Sequence, residues 1–374
     1  MTLEDEETFT PVRRRGLRTG FTTGACATAA AVAAARWLLR GETTPAVTIH
    51  LPAGRDVKFE IASRSREADW VMCSVIKDAG DDPDVTHKAE IRARLWRPSQ
   101  PGLTLTNGVG VGRVTRPGLG LEIGGPAINP VPRQMIAEHL EGLAGDVIRS
   151  GGLMIELSVP NGEALAKKTL NGRLGIVGGL SILGTTGIVV PYSTAAWRAS
   201  VGQAVDVAAA TGQMHVVLST GGTSEKFAQR IFDLPEVAYV EMGEFTGYAL
   251  KRCVQHGIRA VTLVGMIGKM SKIALGHFMT HVASNQVDLV FLAEVARECG
   301  ASPRVVEEIQ GANTARHFQE IALREGLHRA FSRVCQLVCE RSDALVNGEL
   351  TLDCIIFDFD GTVLGRAAPP VGVA

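Results

Sequence analysis

The order of elements in this chain predicts two folds in sequence, an α+β half followed by an α/β half. Three observations carry that reading. From about Tyr192 onward, strand-like and helix-like stretches alternate roughly every twenty to thirty residues, as a parallel sheet with crossover helices requires. Before that point short alternating strands are separated by Gly/Pro turns and only a few helical runs. With 374 residues, 45% of them hydrophobic and 21% charged, the chain is long enough for two cores. The expected divisions are 1–190 for the α+β part, 191–348 for the α/β part, and 349–374 for a C-terminal strand and tail.

The first half is organised around Leu17–Gly41, where a Gly/Thr turn runs into an alanine-rich helix. Gly20 and Gly24 flank Phe21-Thr22-Thr23, and Thr22 or Thr23 is expected to cap the first turn. Free N–H groups at that end, on the positive pole of the helix dipole, would suit a carboxylate or phosphate. Eight alanines between Ala25 and Ala35 favour the helix and let another backbone approach it. Arg36 and Arg40 complement its C-terminal end, and Gly41 stops it. Arg13, Arg14, Arg15 and Arg18 precede the turn as a local basic cluster.

Val47–Leu51 and Asp56–Ala62 then read as a strand pair, and Trp70–Lys77 as a further strand. Asp78, Asp81, Asp82 and Asp84 follow with Gly80 and Pro83 in a tight acidic turn whose spacing is not that of an EF-hand. Crowding of Asp81, Asp82 and Asp84 predicts that at least one of these three carboxylates has a raised pKa, opposed by Lys77 for whichever it pairs with. Asp82, fixed by Pro83, is the candidate base or orienting group; Asp81 and Lys77 stand beside it and His281 is next in line. The alternative is a structural Asp-Pro turn.

Glu90–Trp96 is another strand. Gly108, Gly110 and Gly112 mimic a dinucleotide fingerprint, but Arg113-Val114-Thr115-Arg116-Pro117-Gly118 cannot be the helix that fingerprint needs, so a dehydrogenase reading is weak. These glycines are expected to mark backbone close to a ligand, with Arg113 and Arg116 as anion contacts. The proline-rich run 126–133 leads into a helix from about Gln134 to Leu140. Leu153–Val159 is a strand, Glu163–Leu170 a short helix, and Gly175–Pro191, glycine-rich yet apolar, is expected to cross between domains.

In the second half, helix Thr194–Ala210 leads to strand His215–Ser219, the turn Thr220-Gly221-Gly222-Thr223-Ser224 and helix Glu225–Phe232. Strand Val237–Glu241, helix Glu244–His256 and strand Ala260–Val264 follow, with the turn Gly265-Met266-Ile267-Gly268-Lys269 opening another helix. Ligands of parallel sheets bind at the carboxyl ends of strands, so these two glycine turns, with Glu241 ending the strand between them, form the candidate cofactor site. Two motifs are decoys. Asp358 and Asp360 in FDFDGT resemble a phosphatase opening motif but only fourteen residues follow Asp360; His277 and His281 are four apart without a third ligand, so no metal site is expected.

The formal net charge of −1 argues against a nucleic-acid-coating protein. Seven scattered cysteines without a CxxC pair indicate neither a disulfide framework nor a zinc ribbon. The polar, acidic first ten residues and the lack of a long apolar run predict no signal peptide, no membrane span and a cytoplasmic location.

LRTGFTTGACATAAA, SVIKDAGDDPDVTH, GVGVGRVT-RPGL, PAINPVPRQMI and GMIGKMSKIA together resemble the cobalt-precorrin-5B C(1)-methyltransferase family, from about residue 17 to 365. Lys88 departs from it, standing where a small residue is common. The resemblance implies an α+β domain joined to a Rossmann-like three-layer α/β domain. It also implies S-adenosylmethionine as methyl donor and a tetrapyrrole substrate whose cobalt belongs to the substrate. A homodimer is compatible with it, and a non-catalytic tetrapyrrole or nucleotide carrier would share the same turns. On that reading Arg18, Thr22, Thr23, Arg113 and Arg116 hold the macrocycle's carboxylates. Thr220–Thr223, Glu241, Gly265, Gly268 and Lys269 hold the donor.

Overall fold

Helix Thr23–Arg40 forms where the alanine run predicts it, and every residue from Thr23 to Ala35 is buried. Small side chains let it lie flat on its neighbours: it packs on strands Trp70–Ile76 and Glu90–Trp96 and against helix Pro130–Ser150. Gly41 ends it in the left-handed region at φ 70°, its N–H returning to the Trp37 carbonyl. The computed structural model describes residues 16–280 and 287–367, and the chain divides between Ala195 and Ala196 into two units.

The main sheet of the first unit runs in the order Ser63–Arg66, Trp70–Ile76, Glu90–Trp96, Leu153–Ser158, Leu103–Asn107. All neighbours are antiparallel except the last pair. Burial alternates residue by residue along Glu90–Trp96 and Leu153–Ser158, so one face takes the helices and the other meets water. Helix Pro130–Ser150 is much longer than its expected core of Gln134–Leu140. Its prolines stand in the first turn, where a missing N–H costs nothing.

Residues 175–191 do not cross between domains. Ile176–Val177, Gly179–Leu180 and Ile188–Val189 pair with Arg113–Val114, Gly110–Val111 and Gly20–Phe21, all inside the first unit. The glycines expected to mark the approach of a ligand admit the protein's own chain instead. A Cβ on Gly110, at φ 73°, would lie 1.9 Å from the Val159 carbonyl oxygen, and one on Gly179 would lie 2.3 Å from Gly110. Lys88 adopts φ 62°, a conformation glycine would take more easily.

In the second unit the sheet order is Tyr239–Glu241, His215–Ser219, Ala260–Gly265, Thr351–Phe357, Val363–Ala367. The first four strands are parallel and the last is antiparallel. Thr351–Phe357 therefore lies inside this sheet, with Ile355, Ile356 and Phe357 fully buried. Helices Gly222–Ala228, Ile267–Ala274 and His328–Leu345 pack on the strands. The FDFDGT motif is the hairpin turn into the last strand: Asp360 accepts from the Thr362 N–H at 2.8 Å and Asp358 accepts from the Gln319 amide at 2.6 Å. His277 lies beyond the helix ending at Ala274, after Gly276 at φ 90°, and so is not on a helix; His281 lies outside the described residues.

Candidate active site

Strands His215–Ser219 and Ala260–Gly265 are parallel neighbours, so the turns that leave their carboxyl ends start side by side. Both open directly into helices, Gly222–Ala228 and Ile267–Ala274. Together they line one cleft of about 440 Å³, whose walls include Thr220–Ser224, Met266–Lys269, Lys272, Thr280, Thr314 and Phe359. That volume is in the usual range for a small-molecule site.

Each glycine in the turns has a different role. A Cβ on Gly221 would meet nothing within 4 Å, so that backbone faces open space. A Cβ on Gly222 would sit 3.5 Å from a Glu241 carboxylate oxygen, which puts that acid at the edge of the first turn. Gly265 lies behind the cleft: a Cβ there would be 2.6 Å from the Thr220 hydroxyl and 2.7 Å from the Met270 sulfur. Its bareness lets the turns close on one another. Lys269 ties them, donating from Nζ to the Thr220 carbonyl at 2.5 Å. Burial lowers its pKa, and Glu241 and Glu244 oppose that shift. The cleft also holds residues the sequence did not single out, namely Lys272, Thr280, Thr314 and Phe359. Phe359 sits under the Arg316 guanidinium at 5.1 Å from its ring centre.

The expected anion site at the start of helix Thr23–Arg40 is closed by the protein itself. The Thr22 hydroxyl accepts from the Ala25 N–H at 3.2 Å, and the Gly24 N–H donates to the Leu183 carbonyl at 3.0 Å. The Thr23 hydroxyl accepts from the Leu183 N–H at 2.9 Å, and both threonines are buried. Arg18 is likewise engaged: its guanidinium pairs with Asp78, and its backbone N–H donates to Asp81 at 2.6 Å. Arg13, Arg14 and Arg15 lie outside the described residues.

The acidic turn is a clamp, with every carboxylate holding a donor. Asp78 takes Arg18 and the Gly80 N–H, and Asp82 accepts the Tyr192 N–H at 2.9 Å. Asp84 takes the Lys77 ammonium at 2.6 Å and both the N–H and hydroxyl of Thr86. Lys77 is only 1% exposed. For Asp84 the shift runs downward, opposite to the rise that crowding predicts, and Asp78 beside it is lowered too. The Arg18 hydrogen bond, with the Gly80 N–H, draws Asp78 down to about 2. Burial pushes Asp84 up, but the charge of Lys77 and the bonds from Lys77 and Thr86 outweigh it and hold the group below its ordinary value. A donor held by a carboxylate offsets the repulsion of its acidic neighbours.

Arg113 and Arg116 part company. Arg116 donates to the Arg173 carbonyl at 2.8 Å. Arg113 is exposed and, among the described residues, no hydrogen bond or ion pair holds its guanidinium. It pairs in register with Val177, which is 58% exposed, and bridges to Pro126 close to the exposed Ile123. A cation flanked by apolar surface is thus presented to solvent.

Two family models match the chain, "CbiD" over residues 10–191 and "CbiD, C-terminal domain" over 279–368. The cobalt-precorrin-5B C(1)-methyltransferase of Geobacillus sp. (strain WCH70) is 48% identical over 355 residues, covering 95% of this chain and 97% of that one. This chain belongs to the CbiD family. The enzyme of the same name from Thermus thermophilus is 50% identical over 351 residues, covering 94% of each chain. A crystal structure of the cobalamin biosynthesis protein CbiD from Archaeoglobus fulgidus is 27% identical, covers 83% of this chain and 85% of that one, and superposes with a TM-score of 0.38. The first CbiD match ends at 191, just before the boundary between the units, and the second takes in Thr280, Thr314 and Phe359 of the cleft. No helix of the described residues is long and apolar enough to cross a membrane. Among those residues no three His, Cys, Asp or Glu side chains group as a metal site requires.

Proposed function

We propose that this chain transfers a methyl group from S-adenosylmethionine to C1 of cobalt-precorrin-5B, giving cobalt-precorrin-6A, a step of anaerobic cobalamin biosynthesis. The observation that carries the donor's placement is the single cleft formed by two glycine turns at the carboxyl ends of adjacent parallel strands, with Glu241 at its edge. We read the second unit as Rossmann-like, with helices on both sides of its sheet. Glu241 hydrogen-bonds the ribose hydroxyls, the open backbone at Gly221 and Gly222 admits the nucleoside, and Lys269 holds the two turns at their working separation.

The chemistry asks little covalent help of the protein. The macrocycle's C1 is the nucleophile, the C1–CH3 bond forms as the S–CH3 bond breaks, and S-adenosylhomocysteine leaves with the electron pair. The residues contribute alignment and exclusion of water. Substrate carboxylates meet Arg113, whose apolar surroundings at Val177 and Ile123 suit a flat ring edge. Arg116 positions that strand through the Arg173 carbonyl. Arg18, Thr22, Thr23, Asp81, Asp82 and Lys77 shape the first unit rather than contact the reacting atoms. The test is incubation of the full chain with S-adenosylmethionine and cobalt-precorrin-5B, read by mass spectrometry. The reading requires a gain of one methyl on the macrocycle with stoichiometric S-adenosylhomocysteine; a bound but unmethylated macrocycle would make the protein a carrier instead.

A further inference from the structure

The cleft of the second unit contains a charge the fold leaves uncompensated. Lys272 is 4% exposed, yet its ammonium donates only to the Thr280 carbonyl, at 3.2 Å, and no carboxylate among the described residues pairs with it. Two of its three donors are therefore unused. Thr280 is 1% exposed, and its backbone is fixed by that bond and by its own N–H donating to the Glu244 carbonyl at 3.1 Å. Among the described residues its hydroxyl has no hydrogen-bond partner. Both residues line the cleft, and a second ammonium, Lys269, lies near enough to Lys272 to be depressed by it. A buried cation with a single carbonyl bond and a buried hydroxyl with none are each costly, unless a ligand completes them.

We propose that Lys272 and Thr280 form a carboxylate subsite within the cleft and hold the α-carboxylate of the methyl donor's amino-acid tail. The assignment rests on the donor occupying this cleft. An ionised carboxylate accepts up to about four hydrogen bonds, matching two ammonium donors and one hydroxyl donor with room for water. The cleft then has two poles: the acidic edge at Glu241 takes the sugar hydroxyls and the basic floor takes the tail. Removing the tail from the ligand and the ammonium from the protein should have the same consequence, and should not add.

The experiment is isothermal calorimetry of the full chain, its Lys272→Met variant and its Thr280→Val variant. The ligands are S-adenosylhomocysteine and 5′-methylthioadenosine, which keeps the nucleoside thioether and lacks the amino-acid tail. The wild type should bind S-adenosylhomocysteine at least about tenfold more tightly, as expected for a charge-assisted bond in a desolvated site. Lys272→Met should lose at least about tenfold for S-adenosylhomocysteine with methylthioadenosine nearly unchanged, and Thr280→Val should shift the same ligand by a smaller factor. The melting temperature of Lys272→Met should not fall, because methionine replaces an uncompensated buried cation. Equal affinity of both ligands for the wild type, equal weakening of both by Lys272→Met, or unchanged affinities with a lowered melting temperature would overturn the subsite while leaving the donor in the cleft. Unchanged affinities for both ligands in Lys272→Met with an unchanged melting temperature would likewise overturn the donor assignment. Failure of S-adenosylhomocysteine to bind the wild type would remove the donor from the cleft, and the subsite with it.

Discussion

Replacing Asp84 by asparagine should strand the ammonium of Lys77, one of the largest fully buried side chains among the described residues. Lys77 donates to Asp84 Oδ2 at 2.6 Å, whereas Thr86 uses Oδ1 through both its N–H and its hydroxyl. The introduced amide would keep the Thr86 bonds on its carbonyl oxygen and turn an N–H donor, or nothing, towards the ammonium. The acid is about a quarter exposed on its side chain and the lysine 1%. The loss is therefore that of a broken buried pair, about 3–5 kcal/mol. In a unit of this size that corresponds to a melting shift of roughly 6–20 °C. Urea unfolding followed by tryptophan emission reads it, since Trp37, Trp70 and Trp96 lie in the first unit and Trp197 in the second. Lys77→Met combined with Asp84→Asn should recover most of the loss, because no charge remains to be desolvated. A loss below about 1 kcal/mol in Asp84→Asn, or a double variant no more stable than the single one, would refute the claim that this pair holds the acidic turn together.

Further outcomes follow from the same geometry. Gly110→Ala should cost at least about 3 kcal/mol through its clash with the Val159 carbonyl, whereas Gly54→Ala, at a similar positive φ with open space around it, should cost only about 1–2 kcal/mol; comparable losses by urea titration would contradict the close-approach reading. Asp78 and Asp84 both titrate below their ordinary value of 3.8 in the folded chain, so they stabilise it fully above that pH and the contribution is lost as pH falls, through about 2 for Asp78. Because Asp78 is 42% exposed its share is small and screened by salt; the urea midpoint of the first unit should be flat above about pH 5 and fall below about pH 4, and a midpoint that rises on acidification would reverse the assignment. Asp82→Asn keeps an acceptor for the Tyr192 N–H and should leave kcat within about threefold; a fall of about 100-fold with the fold intact would restore Asp82 as the base.

The second unit is readable because its strands announce themselves twice, by apolar runs and by the glycine turns that end them. His215–Ser219 and Glu90–Trp96 have the bounds expected from pattern alone. Helices Leu289–Glu298, Pro303–Gln310 and Ala315–Arg324 are not among the elements expected from the sequence, although Asp288, Ser302 and Thr314 cap them, each accepting from an N–H of the first turn. What local sequence does not encode is what a polar group meets across the fold. The acidic turn reads as a crowd of repelling charges until Arg18, Lys77 and Tyr192 are brought to it from other segments. Gly110 reads as ligand-permissive until it is seen against Gly179 and the Val159 carbonyl. Lys272 lies within GMIGKMSKIA with nothing there to single it out, Thr280 lies in no motif, and burial is what distinguishes them.

On the function proposed above, the methyl donor lies between the turns at Thr220–Thr223 and Met266–Lys269. The measurement that tests it most directly is calorimetric binding of S-adenosylhomocysteine to Gly222→Val. A Cβ at Gly222 reaches only the Glu241 carboxylate, at 3.5 Å, so the variant should fold while its branched side chain fills the mouth of the cleft. The account predicts at least about a tenfold loss of affinity, or about 1.4 kcal/mol, with an unchanged melting temperature. Wild-type affinity in a folded Gly222→Val would contradict it.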